Sequence, residues 1–156
     1  MEFLAQLHPK IIHFPIAFLL IYVLLEITGV ITKKDFYLKA AFLFLFLGVL
    51  FAVAAVITGN QAYDIASQLK DKGAVIPSGL ISRHEQYATI TLWYFTGLLV
   101  FRTYLVLKKK LKGTMQYLLV LLAVVGAFFI YETADFGGKL VYNHGVGTEM
   151  KKEEIK

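Results

Sequence analysis

The sequence contains no cysteine. Disulfides, thiolate metal sites and covalent haem attachment through a CxxCH motif are therefore excluded, and any cofactor has to be held by histidine, carboxylate, tyrosine or thioether. Charge is also scarce: 17% of the residues are charged against 58% hydrophobic, with a mean hydropathy of +0.64. That composition points to lipid as the solvent of the fold. The amino terminus lacks the basic n-region of a signal peptide, since Met1 to His8 carries Glu2 and no lysine or arginine. The apolar run that follows is too long for an h-region and has no small-residue cleavage signature, so it is expected to be retained.

What is present is long apolar runs. Spanning a hydrocarbon core takes roughly 20 apolar residues at about 1.5 Å each, and four stretches qualify. They run from Ile11 to Ile31, Phe36 to Ile57, Gln86 to Leu107 and Met115 to Ala134. The expectation is an all-α integral membrane four-helix bundle forming a single domain over residues 1–156. Lysine density sets the orientation. Lys33, Lys34 and Lys39 crowd the first connection, and Lys108, Lys109, Lys110 and Lys112 the third. These two turns are expected at the cytoplasmic side, with both termini on the outer, periplasmic side of a prokaryotic inner membrane. Basic residues on the other side, Lys10, Lys70, Lys72, Arg83, Lys139, Lys151, Lys152 and Lys156, are spread out and interleaved with acids. Tyr37, Tyr104 and Tyr117 mark the inner interface; Tyr63, Tyr87, Tyr131 and Tyr142 mark the outer one. The net charge of +5 resides largely in membrane-flanking lysines, which gives no support to nucleic-acid binding.

The loop from Thr58 to Arg83 has Ala62, Ile65, Ala66 and Leu69 at helical spacing, so the second span is expected to continue as an amphipathic helix. Gly73, Pro77 and Gly79 should break it. Ser82, with Glu85 three residues on, is predicted to cap the third span. The glycines after Ala134 suggest a folded turn bringing His144 back to the outer face.

Two ionisable residues lie inside the spans, Glu26 and Arg102. Charge there is costly and usually paired or functional. Both sit about five residues from the inner ends of spans running in the same direction, which predicts a salt bridge between them, the alternative being that Arg102 snorkels to the inner interface. Eighteen residues make five turns at about 3.6 residues each, so His84 and Arg102 share one stripe, as do His8 and Glu26. If Glu26 faces Arg102, His8 tends to face His84. On the third span that stripe carries Tyr87, Ala88, Thr91, Phe95 and Leu98. Pro9, read as the start of the first helix, and Pro15, a possible kink, weaken the register on the first span. His13 is about 140° around from His8 and is expected to serve a different neighbour, for which His144 is the candidate.

His8, His13, His84 and His144 are all the histidines of the chain, and the hydropathy pattern puts them at one face. Three readings stand open. Two imidazoles from opposing helices could ligate b-type haem, one or two per chain, with mid-span Gly48, Gly97 and Gly126 admitting a flat ring; those glycines equally suit helix packing in lipid. Three or four histidines with Glu85, Glu132 or Asp135 could bind zinc, copper or iron, although no HxH or HExxH spacing supports this. Or the histidines hold no cofactor and serve structure alone.

The opening HPKIIHFPIAFLL, the Arg83, His84, Glu85 start of the third span and the ending GGKLVYNHGVG resemble an uncharacterised bacterial family of small four-span membrane proteins. Its hallmarks are HPxxVHFPIAL near the start and GGxLVYxHGxGV at the end. The resemblance covers essentially the whole chain, with Ile12 where the family commonly has valine. It implies that His8, His13, His84 and His144 all belong to the family pattern. The family's domain is also found fused to Rieske or c-type cytochrome domains, which implies an electron-transfer setting.

The resulting expectation is a cytochrome b-like module with haem near the outer face, a carrier more than an enzyme, passing electrons from quinol to a periplasmic cytochrome or Rieske protein. Arg83 and Lys139 are candidates to neutralise haem propionates, and Glu132 or Asp135 to accept a quinol proton. The rival is a non-catalytic accessory subunit of a larger respiratory complex. Homodimerisation fits either reading.

Overall fold

In a computed structural model, residues 2–71 and 77–146 are described, and they form helices and turns with no strand among them. The helices are α1 (Glu2–Ile11), α2 (His13–Thr32), α3 (Asp35–Asp71), α4 (Ser78–Leu107) and α5 (Thr114–His144). Continuous helical segments Phe3–Thr32, Asp35–Gln68, Ser78–Leu107 and Thr114–His144 are long and apolar enough to cross a membrane. The chain is thus an all-helical four-span bundle, as its hydropathy predicts.

α1 and α2 are one helix interrupted at Ile12, and the cause is Pro15. A proline has no N–H to give to the carbonyl four residues back, and its ring crowds that carbonyl. Here that carbonyl belongs to Ile11, where α1 ends. Ile12 keeps right-handed helical angles, with φ −59 and ψ −25, so the break bends the path without reversing it. Pro9 lies inside α1 and does not begin the helix, contrary to its reading from sequence.

Two tight turns close the end that carries the lysines. Lys33 stops α2 in the left-handed region at φ 55, and Asp35 opens α3, its carboxylate in the first turn where it complements the helix dipole. Between α4 and α5, Lys109 has φ 53 and Gly113 takes φ 54 with ψ −124, a conformation open in practice only to glycine.

At the opposite end the helices run further than hydropathy alone marks. α3 has 37 residues, about 55 Å of helix against a core of about 30 Å, so its last turns stand beyond the apolar segment as the amphipathic pattern predicts. α4 starts at Ser78 with Pro77 as its N-cap, so Ser82 is inside the helix and caps nothing. Gly79 likewise lies within its first turn. α5 continues through Gly137 and Gly138 to His144, and Gly145 ends it at φ 63. The expected turn after Ala134 is therefore helix: packing overrides the poor propensity of the glycine pair. Gly73, Lys72, Lys151, Lys152 and Lys156 lie outside the described residues.

α2 packs along α3 and α5, and α4 along the same two, so the four spans form a ring with α2 and α4 on one diagonal. α1 leans on α3. Leu19, Tyr22, Leu45, Phe95, Leu98, Leu119 and Ala123 fill the centre. Leu24, Ile31, Trp93, Val100, Leu121 and Phe128 point outward, as suits a surface bathed in lipid.

Candidate functional site

An ion pair lies at one end of the shared stripes and a histidine pair at the other, as the helical register predicts. Arg102 Nη1 donates to Glu26 Oε2 at 2.5 Å, with the two side chains 1% and 0% exposed. Arg102 Nη2 donates to the Leu38 carbonyl at 2.6 Å, and the guanidinium lies 5.8 Å from the Phe42 ring centre. Towards the other end of the same diagonal, the imidazoles of His8 and His84 stand 6.4 Å apart between centroids, with 72° between planes.

Each imidazole is held by a neighbouring helix, that of His8 by α3 and that of His84 by α5. His84 Nδ1 lies 3.0 Å from the Thr133 carbonyl on α5. A carbonyl only accepts, so Nδ1 carries the proton and the neutral ring leaves a lone pair on Nε2. His8 Nδ1 lies 3.1 Å from Thr58 Oγ1 on α3. The Thr58 hydroxyl is also 3.0 Å from the carbonyls of Ala54 and Ala55, which take its one proton. Thr58 Oγ1 therefore accepts from His8 Nδ1, and Nε2 of His8 is again the unprotonated nitrogen. The His8 ring also meets the Ala55 backbone carbonyl, and His84 Nε2 makes no hydrogen bond among the described residues.

The Cε1 edge of each ring abuts a glycine. A Cβ on Gly59 would sit 3.0 Å from His8 Cε1, and one on Gly137 would sit 3.0 Å from His84 Cε1. The two half-sites match: His8, Thr58 and Gly59 on α1 and α3; His84, Thr133 and Gly137 on α4 and α5. Thr91, buried on α4, extends the second, with Oγ1 2.9 Å from Thr133 Oγ1. Tyr87 packs on Phe136 beside it, centroids 5.2 Å apart.

The remaining sequence candidates are placed otherwise. His13 and His144 are exposed. Among the described residues no three His, Cys, Asp or Glu side chains converge as a group that could hold a metal. Arg83 is exposed next to His84, whereas Lys139 is ion-paired with Asp135 and lies over the Phe136 ring, which gives it an ordinary surface role. Glu85 is exposed and Glu132 half-buried. The mid-span glycines do not open a slot in the bundle centre. Gly48 is pressed by Leu19 and Gly126 by Phe95, while Gly97 faces outward with nothing within 4 Å of its would-be Cβ. Thr58, Gly59, Thr133 and Gly137 were not singled out by the sequence, although Gly137 belongs to the GGKLVYNHGVG ending and Gly59 directly follows Thr58.

Two imidazoles with Nδ1–H tied are the arrangement that histidine adopts as a metal ligand, where the second nitrogen is fixed by a backbone or side-chain acceptor. The pair could offer two nitrogens, enough to hold a haem and short of the four ligands of a closed zinc site. No curated protein and no solved structure matches the chain. A family model described as "Predicted membrane protein (DUF2231)" matches residues 5–150, and the chain belongs to that family.

Proposed function

We propose that the protein is a membrane-embedded, cytochrome b-like electron carrier in which His8 and His84 hold one haem b. The observation that carries this reading is the pair of adjacent imidazoles, one on α1 and one on α4, each with Nδ1 held by a neighbouring helix. His8 and His84 would hold the group, their ring centroids standing 6.4 Å apart. Haem b supplies a one-electron couple when so held.

The chain's own residues do the rest. Thr58 and Thr133 fix the tautomer and rotation of each ring, and Gly59 and Gly137 let the imidazoles lie against helix backbone. Arg83 stands exposed beside His84, where a propionate could meet it; Lys139 is engaged by Asp135. Because Leu19 and Phe95 fill the bundle centre, the redox centre belongs at the histidine end. With the lysine-rich turns in the cytoplasm, that end faces the periplasm of an inner membrane, within reach of a periplasmic cytochrome or Rieske-type acceptor, and quinol is the membrane-soluble donor class.

The test is a reduced-minus-oxidised visible spectrum of protein purified in mild detergent with haem supplied, with a pyridine haemochrome count. The expected result is a b-type α band at one haem per chain, lost in His8→Ala and His84→Ala and kept in His13→Ala and His144→Ala. A colourless, folded protein would overturn the reading. It would favour a cofactor-free accessory subunit, for which the outward face of α4 speaks: Gly97 lies open between Trp93, 68% exposed, and Val100, 65% exposed, and small residues let membrane helices approach closely.

A further inference from the structure

Three buried polar atoms inside the bundle have no hydrogen-bond partner among the described residues: Tyr22 Oη, Glu26 Oε1 and Arg102 Nε. All three belong to one neighbourhood. Tyr22 and Glu26 are one turn apart on α2, Glu26 is bonded to Arg102, and the Tyr22 phenol interacts electrostatically with both. The side chains are sealed, at 0%, 0% and 1% exposure. Phe95 closes over Tyr22 at 6.3 Å between centroids, and Phe42 flanks the guanidinium.

Orphaned polar groups are rare in folded interiors, and in a lipid-embedded one no solvent can rescue them. Three in one place therefore ask for one explanation. Their chemistry is complementary to a single small molecule: Arg102 Nε offers a donor, Glu26 Oε1 an acceptor, and Tyr22 Oη either. A direct Tyr22–Glu26 bond would satisfy two of them and leave Arg102 Nε alone. Water can accept from Arg102 Nε and donate to both oxygens, and about three hydrogen bonds is what a buried water typically makes.

We infer that Tyr22, Glu26 and Arg102 enclose a binding site for one water molecule within the membrane-spanning part of the bundle. The ion pair is then a hydrated triad, with the phenol joined to both charges through the bound water. The site is independent of the histidine pair and of any haem there.

A structure of the full chain in nanodiscs, at a resolution that resolves ordered water, tests this directly. The expected result is a density peak within hydrogen-bond distance of all three atoms. Tyr22 Oη bonded straight to Glu26 Oε1, with no peak beside Arg102 Nε, would overturn it. Infrared spectra in the O–H stretching region give a second readout. A narrow band that shifts on exchange into H2 18O, and that shifts or disappears in Tyr22→Phe, is expected. Absence of any such band in the wild-type protein, or an unaltered band in folded Tyr22→Phe, counts against the site.

Discussion

Glu26 and Arg102 are bonded across the bundle, 2.5 Å apart, although the helices that carry them, α2 and α4, are not backbone neighbours. Two long side chains reach over the diagonal and meet in the middle. Tyr22 and Phe95 meet across the same diagonal, and His8 and His84 do so beyond them. The bundle is thus cross-braced by side chains where its backbones are far apart.

Breaking one brace should be costly. Glu26→Ala or Arg102→Ala leaves an uncompensated buried charge, for which about 3–5 kcal/mol is expected. Replacing both by apolar or neutral residues of similar volume, such as Glu26→Gln with Arg102→Met, should recover much of that loss. Thermal unfolding in detergent, followed as a double-mutant cycle, measures it; equal and additive losses would mean the pair is not coupled.

Gly97 and Gly126 are both mid-span glycines on facing helices and should respond oppositely to alanine. At Gly126 a new Cβ would come within 2.5 Å of Phe95 Cζ, in a fully packed core, so Gly126→Ala should lower the melting temperature. At Gly97 nothing lies within 4 Å, and the helix gains roughly 0.5–1 kcal/mol from the better former. If association through this face were important, Gly97→Ala would instead weaken a dimer or complex, which size-exclusion chromatography would reveal.

The two threonines beside the histidines differ in which atom they use. Thr58 holds His8 through its hydroxyl, whereas Thr133 holds His84 through its backbone carbonyl. Thr58→Val removes the acceptor and, if the pair holds haem as proposed, should weaken haem binding roughly 10- to 100-fold, the usual loss for an outer-shell partner. Thr133→Val keeps the carbonyl and should be milder. Haem titration of both variants decides; equal losses would argue against the tautomer assignment.

Gly59→Ala and Gly137→Ala probe the same site from behind. Each would bring a Cβ within 3.0 Å of an imidazole carbon, so the ring must move by a few tenths of an ångström. The expectation is a shifted α band or midpoint potential with unchanged helix content by circular dichroism. Spectra identical to wild type would count against a haem held by this histidine pair.

Much of this site was readable before any coordinates, because helical periodicity transmits position over long distances. Pairing Glu26 with Arg102 fixes the rotation of two helices, and five turns later the same rotation sets His8 opposite His84. The break at Ile12 did not spoil this, since Ile12 stays helical in angle. The end of the chain was less legible. Ser82 and Glu85 have the spacing of a capping box, yet the helix had already begun at Ser78, and local capping chemistry has no means of announcing an earlier start. Gly137 and Gly138 look like a turn, but Gly137 is the surface on which His84 lies, and that long-range contact is invisible in local propensity. For the same reason His13 and His144, which share an end of the molecule with the pair, could not be sorted from it by sequence: both are exposed.

The matched half-sites carry a consequence for how the molecule comes together. Residues up to the end of α3 contain one complete imidazole mount, and α4 with α5 contain the other. Neither hairpin contains both imidazoles by itself. The histidine pair therefore exists only once the two hairpins have docked, which makes it a reporter of assembly. Splitting the chain between α3 and α4 and co-expressing the pieces would yield two membrane hairpins, each waiting for its counterpart to bring the two imidazoles together.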